Sequence, residues 1–385
     1  MPANSLRRLI IVISTLTLLA FGLLWLMSSG PAAIPTAEFS TSSAMPETTP
    51  ASLADNAAIA SVALNTNPPI NDVPEILVCE VSQSTDTAAL DINVLMEEAV
   101  QSHVSLVMQM SGSPEPEVQT LTEVLSPTAD VTDHLTRLAA LSDDFPDDAL
   151  VALHLLNACR LQAGNAVCGD SLTNRVTRLA GSNASSWLLI ASLEYSRANP
   201  EAAAVALQQA ADAPEFDDYF RRHLSLLRSF VVDGTDSRNS IGRAIGIAAS
   251  VNLIGKNMQP LIEFCSDNVQ SIPGLANSCL AFGARLQDES SNLLNAKWGA
   301  ALRSSVHLSL GDAATSVAIE MQDQDAFDRL FNADVSKAFA LADFDSRLLD
   351  NWFDYVVANG ELAAVPYIVS EARGLSADPA YNPCP

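Results

Sequence analysis

Basic residues are what this chain has least of. Lys and Arg together number 20 among 385 residues, against 45 Asp and Glu, and none stands between Arg8 and Arg137. The resulting formal charge of -25 excludes nucleic acid and anionic lipid headgroups as natural partners of the surface, because both carry the same sign. Aromatic residues are also sparse, at 6%. That shortage argues against a sheet-built fold, since strands favour aromatic and β-branched side chains while the abundant Ala and Leu favour helices. The five histidines, His103, His134, His154, His223 and His307, include no i, i+4 pair that would put two imidazoles on one helix face for a metal. No G-x-S-x-G elbow, phosphate-binding glycine loop or S-x-x-K pair is present. The sequence therefore predicts no catalytic residue, no cofactor and no metal.

What the chain does have begins at its start. Arg7 and Arg8 precede an uncharged run from Leu9 to Met27. At helical rise this run covers about 28 Å, close to the roughly 30 Å apolar thickness of a bilayer. Residues 1–8 then read as a cytoplasmic start and 9–27 as a transmembrane signal-anchor helix, with the rest of the chain outside the cytoplasm by the positive-inside rule. A cleaved signal peptide is the rival reading, because Ser28, Ser29, Gly30, Ala32 and Ala33 come next. The apolar core exceeds the usual length for that role, and Pro31 sits among the candidate cleavage positions, which favours retention. Residues 28–74 are rich in Ala, Ser, Thr and Pro, carry acidic but no basic charge, and show no sustained period. They read as a flexible stalk that provides reach.

Beyond the stalk the pattern is helical, in an N-terminal region 75–235 and a C-terminal region of helical hairpins 236–385. Phe216, Tyr219, Phe220, His223, Leu224, Leu227, Phe230 and Val231 mark one apolar helix stripe, and Leu348, Leu349, Trp352, Phe353, Val356 and Val357 a second. Acidic pairs such as Asp143 with Asp144, Asp147 with Asp148 and Asp217 with Asp218 are expected mostly as helix caps. The run Asp323, Asp325, Asp328 lacks the glycine and distal glutamate of a calcium loop. Asp217 and Asp218 stand four residues before Arg221 and Arg222, the spacing for ion pairs within one helix.

Six cysteines outside the cytoplasm invite pairing. Cys159 and Cys168 flank the helix-ending pair Gly164 and Asn165, and Cys265 and Cys279 flank Pro273 and Gly274. Each pair is expected to staple a helical hairpin at its turn. Cys79 and Cys384 then remain, to pair with each other, stay free or link two chains.

One hairpin, Asn183 to Pro214, resembles a tetratricopeptide repeat. Trp187, Ile190 and Ala191 lie on its first helix and Tyr195 near that helix's end, while Ala203, Leu207 and Ala210 lie on the second, with Pro214 closing. The small residues let the two helices approach, and Trp187 with Leu207 is expected to fill the space between them. The resemblance implies an all-α, irregular, repeat-like α-superhelix of antiparallel hairpins. With an anchor and a stalk, the whole resembles bacterial envelope proteins that present tetratricopeptide-like domains to the periplasm. That likeness implies a single-pass inner-membrane protein, non-enzymatic, whose partner is a protein or peptide. The competing expectation is an envelope enzyme acting on peptidoglycan or peptides. Glu289-Ser290 resembles the catalytic dipeptide of lytic transglycosylases, but the accompanying motifs of that family are absent.

Overall fold

A computed structural model describes residues 74–79, 103–126, 130–231 and 237–384. The expected cytoplasmic start, membrane run and all of the stalk before its last residue lie outside the described residues. Among the described residues no helix is long and apolar enough to cross a membrane.

The described residues are all-α, with no named strand. After a helical stretch at 103–110 come α1 (Pro116–Leu125), α2 (Val131–Asp144), α3 (Ala149–Cys159), α4 (Asp170–Ala180), α5 (Ala184–Ser196), α6 (Pro200–Asp212) and α7 (Phe220–Arg228). The chain continues through α8 (Ser237–Ser250), α9 (Gly255–Asn268), α10 (Leu275–Glu289), α11 (Leu293–Ser309), α12 (Ala313–Leu330), α13 (Ala333–Ala342), α14 (Ser346–Asn359) and α15 (Glu361–Ser376). Short polar side chains start many of them. Asp148 accepts from Val151 N, Asn183 from Ser185 N, Asn292 from Leu294 N and Asn295 N, and Asp312 from Thr315 N, each satisfying first-turn amides that have no partner inside the helix.

Two helices are apolar on nearly every face. In α3 every residue from Leu150 to Leu156 is buried, and in α5 every residue from Ala184 to Leu193 except Trp187. A helix of that kind has to be surrounded, and α3 is packed by α1, α2, α4 and α5. The α10–α11 hairpin closes on glycine. A Cβ at Gly299 would stand 2.5 Å from the Gly283 carbonyl oxygen and 2.6 Å from the Gln287 nitrogen, so the two backbones approach to a distance no side chain tolerates.

Residues 74–385 form one compact unit. Helices from the two sequence regions share its packing: α6 lies on α10, α9 on both α5 and α11, and α7 and α8 on α14. The ends of the unit meet as well. Leu77 N donates to Ser376 Oγ at 2.8 Å, Ile76 is buried, and Cys79 and Cys384 stand with Cα atoms 5.3 Å apart.

Candidate functional site

The hairpin for which the sequence suggests a repeat is α5 with α6. Ile190, Ala191, Ala203, Leu207 and Ala210 are all buried, the alanines letting the helices close. Trp187 is half-buried against the same core, and its indole Nε1 donates to the Gly181 carbonyl at 2.8 Å, which braces the turn before α5. Tyr195 is also half-buried and packs its ring 5.0 Å from Phe264 of α9. An isolated bridge closes the unit, with Ala184 N donating to Glu215 O and Glu215 N to Ser182 O.

Beside this hairpin an open groove of about 500 Å³ runs between α6 and α10. Glu201, Ala204, Val205, Gln208, Ala211 and Asp212 line one wall, and Leu275, Asn277, Ser278 and Ala281 the other, with Ile272, Pro273 and Gly274 at the end. Small residues, Ala204, Ala211, Gly274, Ser278 and Ala281, are prominent in its lining, and its charged residues are both acids. Val205 is left 61% exposed there, an apolar side chain with no cover.

The arginines near α7 correct the expectation of ion pairs within the helix. The apolar stripe does not run as one helix from Phe216. Asp217 Oδ1 accepts from Tyr219 N and Asp218 Oδ1 from Phe220 N, so both acids end up ahead of a helix that starts at Phe220. Tyr219 takes a left-handed backbone conformation, φ 58°, to make that turn. The arginines reach other helices instead: Arg221 donates to Ala358 O, Arg222 pairs with Glu117, and Arg228 pairs with Asp354. Of the acidic pairs, Asp143 and Asp144 lie at the end of α2, not the start of a helix. Asp323 sits inside α12 and pairs with Lys297 at 3.1 Å. Glu289, of the transglycosylase-like dipeptide, is held by Arg285 through both carboxylate oxygens, and it lines neither the groove nor two further cavities, one between α1 and α2 and one where α1, α2, α3 and α9 meet.

Two buried polar clusters escape sequence reasoning because their members are far apart in the chain. Asp218 Oδ2 accepts from Ser291 N and Asn295 Nδ2, Asn252 Nδ2 donates to Asn295 Oδ1, and Glu361 Oε2 accepts from Leu293 N and Asn292 Nδ2. Burial, reinforced by the Asp218 charge, pushes the Glu361 carboxyl up to about 7. The second cluster joins His154 of α3 to His223 of α7, Nε2 to Nε2 at 3.1 Å, both fully buried. Burial holds both imidazoles neutral, His154 well below the usual range and His223 down to about 3.

All six cysteines stand in pairs. Cα separations are 5.4 Å for Cys159 and Cys168, 6.3 Å for Cys265 and Cys279, and 5.3 Å for Cys79 and Cys384, within the reach of a disulfide. The cavity between α1 and α2, lined by Ser113, Gln119, Glu123, Arg137 and Asp144 among others, carries charges of both signs, and Glu123 and Arg137 there are paired with each other at 2.8 Å. Comparison with known proteins finds no matching family model, no similar curated protein and no similar solved structure.

Proposed function

We propose that this chain is a non-enzymatic envelope protein, anchored in a bacterial inner membrane by residues 9–27 and carried on its stalk into the periplasm, where an irregular helical-repeat array binds another protein or peptide. The observation that carries the reading is the open groove between α6 and α10, with small residues in its lining, uncovered Val205 and only Glu201 and Asp212 for charge. A groove of that make suits an extended or helical segment with a small-residue or apolar face and basic flanks. Three cysteine pairs at bonding distance support an oxidising compartment. The missing basic charge over residues 9–136 supports translocation of the chain beyond the apolar run.

The test is site-directed photo-crosslinking in intact envelopes. A photoreactive residue at Val205 or Gln208 is expected to trap a discrete protein or peptide adduct, whereas one at Gln259, on an exposed part of α9, is not. Equal labelling from all three positions, or none from the groove, would sink the binding assignment. A reporter fused after Pro385 that is active only in the cytoplasm would sink the topology.

A further inference from the structure

The cavity where α1, α2, α3 and α9 meet has a volume of about 100 Å³, and its chemistry is unlike that of the rest of the molecule. His154, Asn157 and Arg160 come to it from α3 and the turn that continues α3, and Lys256 comes from the first turn of α9. In a chain of formal charge -25 this wall holds an arginine and one of only three lysines, and no acidic residue lines it. His134, also on the wall, is already paired with Glu123 at 3.2 Å, and Glu123 takes Arg137 as well. Among the described residues neither Arg160 nor Lys256 has a carboxylate within ion-pair distance.

Several side chains on its wall have donors to offer. Arg160 Nε is buried with no hydrogen-bond partner. Asn157 spends its Oδ1 accepting from Asn257 Nδ2 at 2.8 Å, which leaves its amide N–H groups to give. The histidine pair obeys the same logic. His223 Nδ1 is buried and unpartnered, and burying an unpaired N–H is the worse of its two options, so the shared proton sits on His223 Nε2 and points to His154 Nε2. His154 then carries its proton on Nδ1, as a neutral donor. The N-terminal end of the 14-residue helix α9, where Lys256 sits, adds the positive end of a helix dipole. Burial draws the Arg160 pKa down, and Lys256, although its side chain reaches the surface, is drawn down by the protein packed around it and by the Arg160 charge.

We propose that this cavity is a binding site for a small inorganic oxyanion, phosphate or sulfate, held by Arg160 and Lys256 with the donors of Asn157 and His154. Its volume is the room of about three waters, which admits a tetrahedral oxyanion and is too small for a nucleotide or another drug-sized ligand. The Cys159–Cys168 pair has a part in it, because Arg160 directly succeeds Cys159 and the turn that carries it is tied down at that point. The site is independent of the α6–α10 groove.

The test is calorimetric titration of the full chain with phosphate, sulfate and chloride at matched, low ionic strength. Saturable one-to-one binding of phosphate or sulfate, with none of chloride, is expected. Lys256→Gln and Arg160→Gln should each weaken binding by roughly tenfold or more, the loss of one charge-assisted hydrogen bond. Lys337→Gln, remote from the cavity, should leave it unchanged. Lys256 is surface-reaching and its removal leaves the core intact, so this variant decides the matter if Arg160→Gln fails to fold. Absence of saturable binding by the unaltered chain, or binding by Lys256→Gln equal to it, would overturn the site.

Discussion

Glu361 offers a quantitative test of the buried polar cluster. It opens α15, and its Oε2 accepts from Leu293 N and Asn292 Nδ2 at the start of α11, while its own N–H donates to Ser291 O at 2.7 Å. The two helix starts therefore cap one another, in sight of Asp218 and with Ser291, Asn292 and Asn295 as the other polar neighbours. The carboxyl titrates near 7 in the folded protein against an ordinary 4.5. The native state thus holds this proton more tightly than the unfolded chain. The stabilisation is fully present below the unfolded value and disappears as pH rises through about 7. Linkage gives about 2 kcal/mol of native stability from this group at about pH 5.5 and almost nothing at about pH 8.5. Glu361→Gln keeps an acceptor for Leu293 N and removes the titration. Chemical unfolding of both proteins across that range should show the gap in stability, parent minus variant, shrinking by about 2 kcal/mol as pH rises. A gap that stays constant, or widens with pH, would refute the claim that burial and Asp218 control this carboxyl.

The other predictions concern single positions. Gly360 holds φ 87° and ψ 167°, and a Cβ there would lie 2.7 Å from Ser291 O, so Gly360→Ala should cost about 2–5 kcal/mol in denaturant unfolding. Ala198 ends α5 in a left-handed conformation, φ 57°, with Asn199 N closing back on Glu194 O; Ala198→Gly should stabilise by about 0.5–1 kcal/mol, seen as a higher midpoint at unchanged slope. Trp187→Ala removes a half-buried indole and its hydrogen bond to Gly181, and the expected loss is about 1–3 kcal/mol, below the cost of emptying a sealed core site. Alkylation mapping of the unreduced chain should leave all six cysteines unlabelled, and labelling at Cys159, Cys168, Cys265 or Cys279 would count against the stapled hairpins.

Local physics made much of the fold legible. The capping residues Asp148, Asn183 and Asn199 begin helices where their short side chains stand before apolar runs, and the paired cysteines at 159 and 168, and at 265 and 279, flank turns as their spacing demands. Periodicity failed where a side chain competed with the backbone. Asp217 and Asp218 bond the amides two residues ahead, which delays α7 to Phe220 although the apolar stripe continues upstream. It failed also on depth, since a stripe says which face is turned inward and not how far. Trp187 and Leu207 occupy equivalent inward positions, yet Leu207 is sealed and Trp187 reaches the edge. The clusters around Asp218, His154 and Lys256 gave no signal because each draws on helices separated by dozens of residues.

The three cysteine pairs divide the work of holding the unit unevenly. Chain-entropy reasoning assigns about 3 kcal/mol to loops as short as those closed by Cys159–Cys168 and Cys265–Cys279, and about 5–6 kcal/mol to the 305-residue separation of Cys79 and Cys384. The short pairs fix local geometry, one of them beside Arg160 and the other at the end of the groove, where Ile272, Pro273 and Gly274 lie between its cysteines. The long pair joins the first described residues to the last, with Leu77 bonded to Ser376 and Glu75 set 3.8 Å from Lys337 alongside it. Were the chain anchored upstream of residue 74 as proposed, a pull on that anchor would reach the compact unit beside Cys79. That residue is tied to the C-terminal end, so force would be shared across the unit and would not peel its first helix away. The 5.3 Å between the Cys79 and Cys384 Cα atoms is what favours their pairing within one chain over a link between two copies.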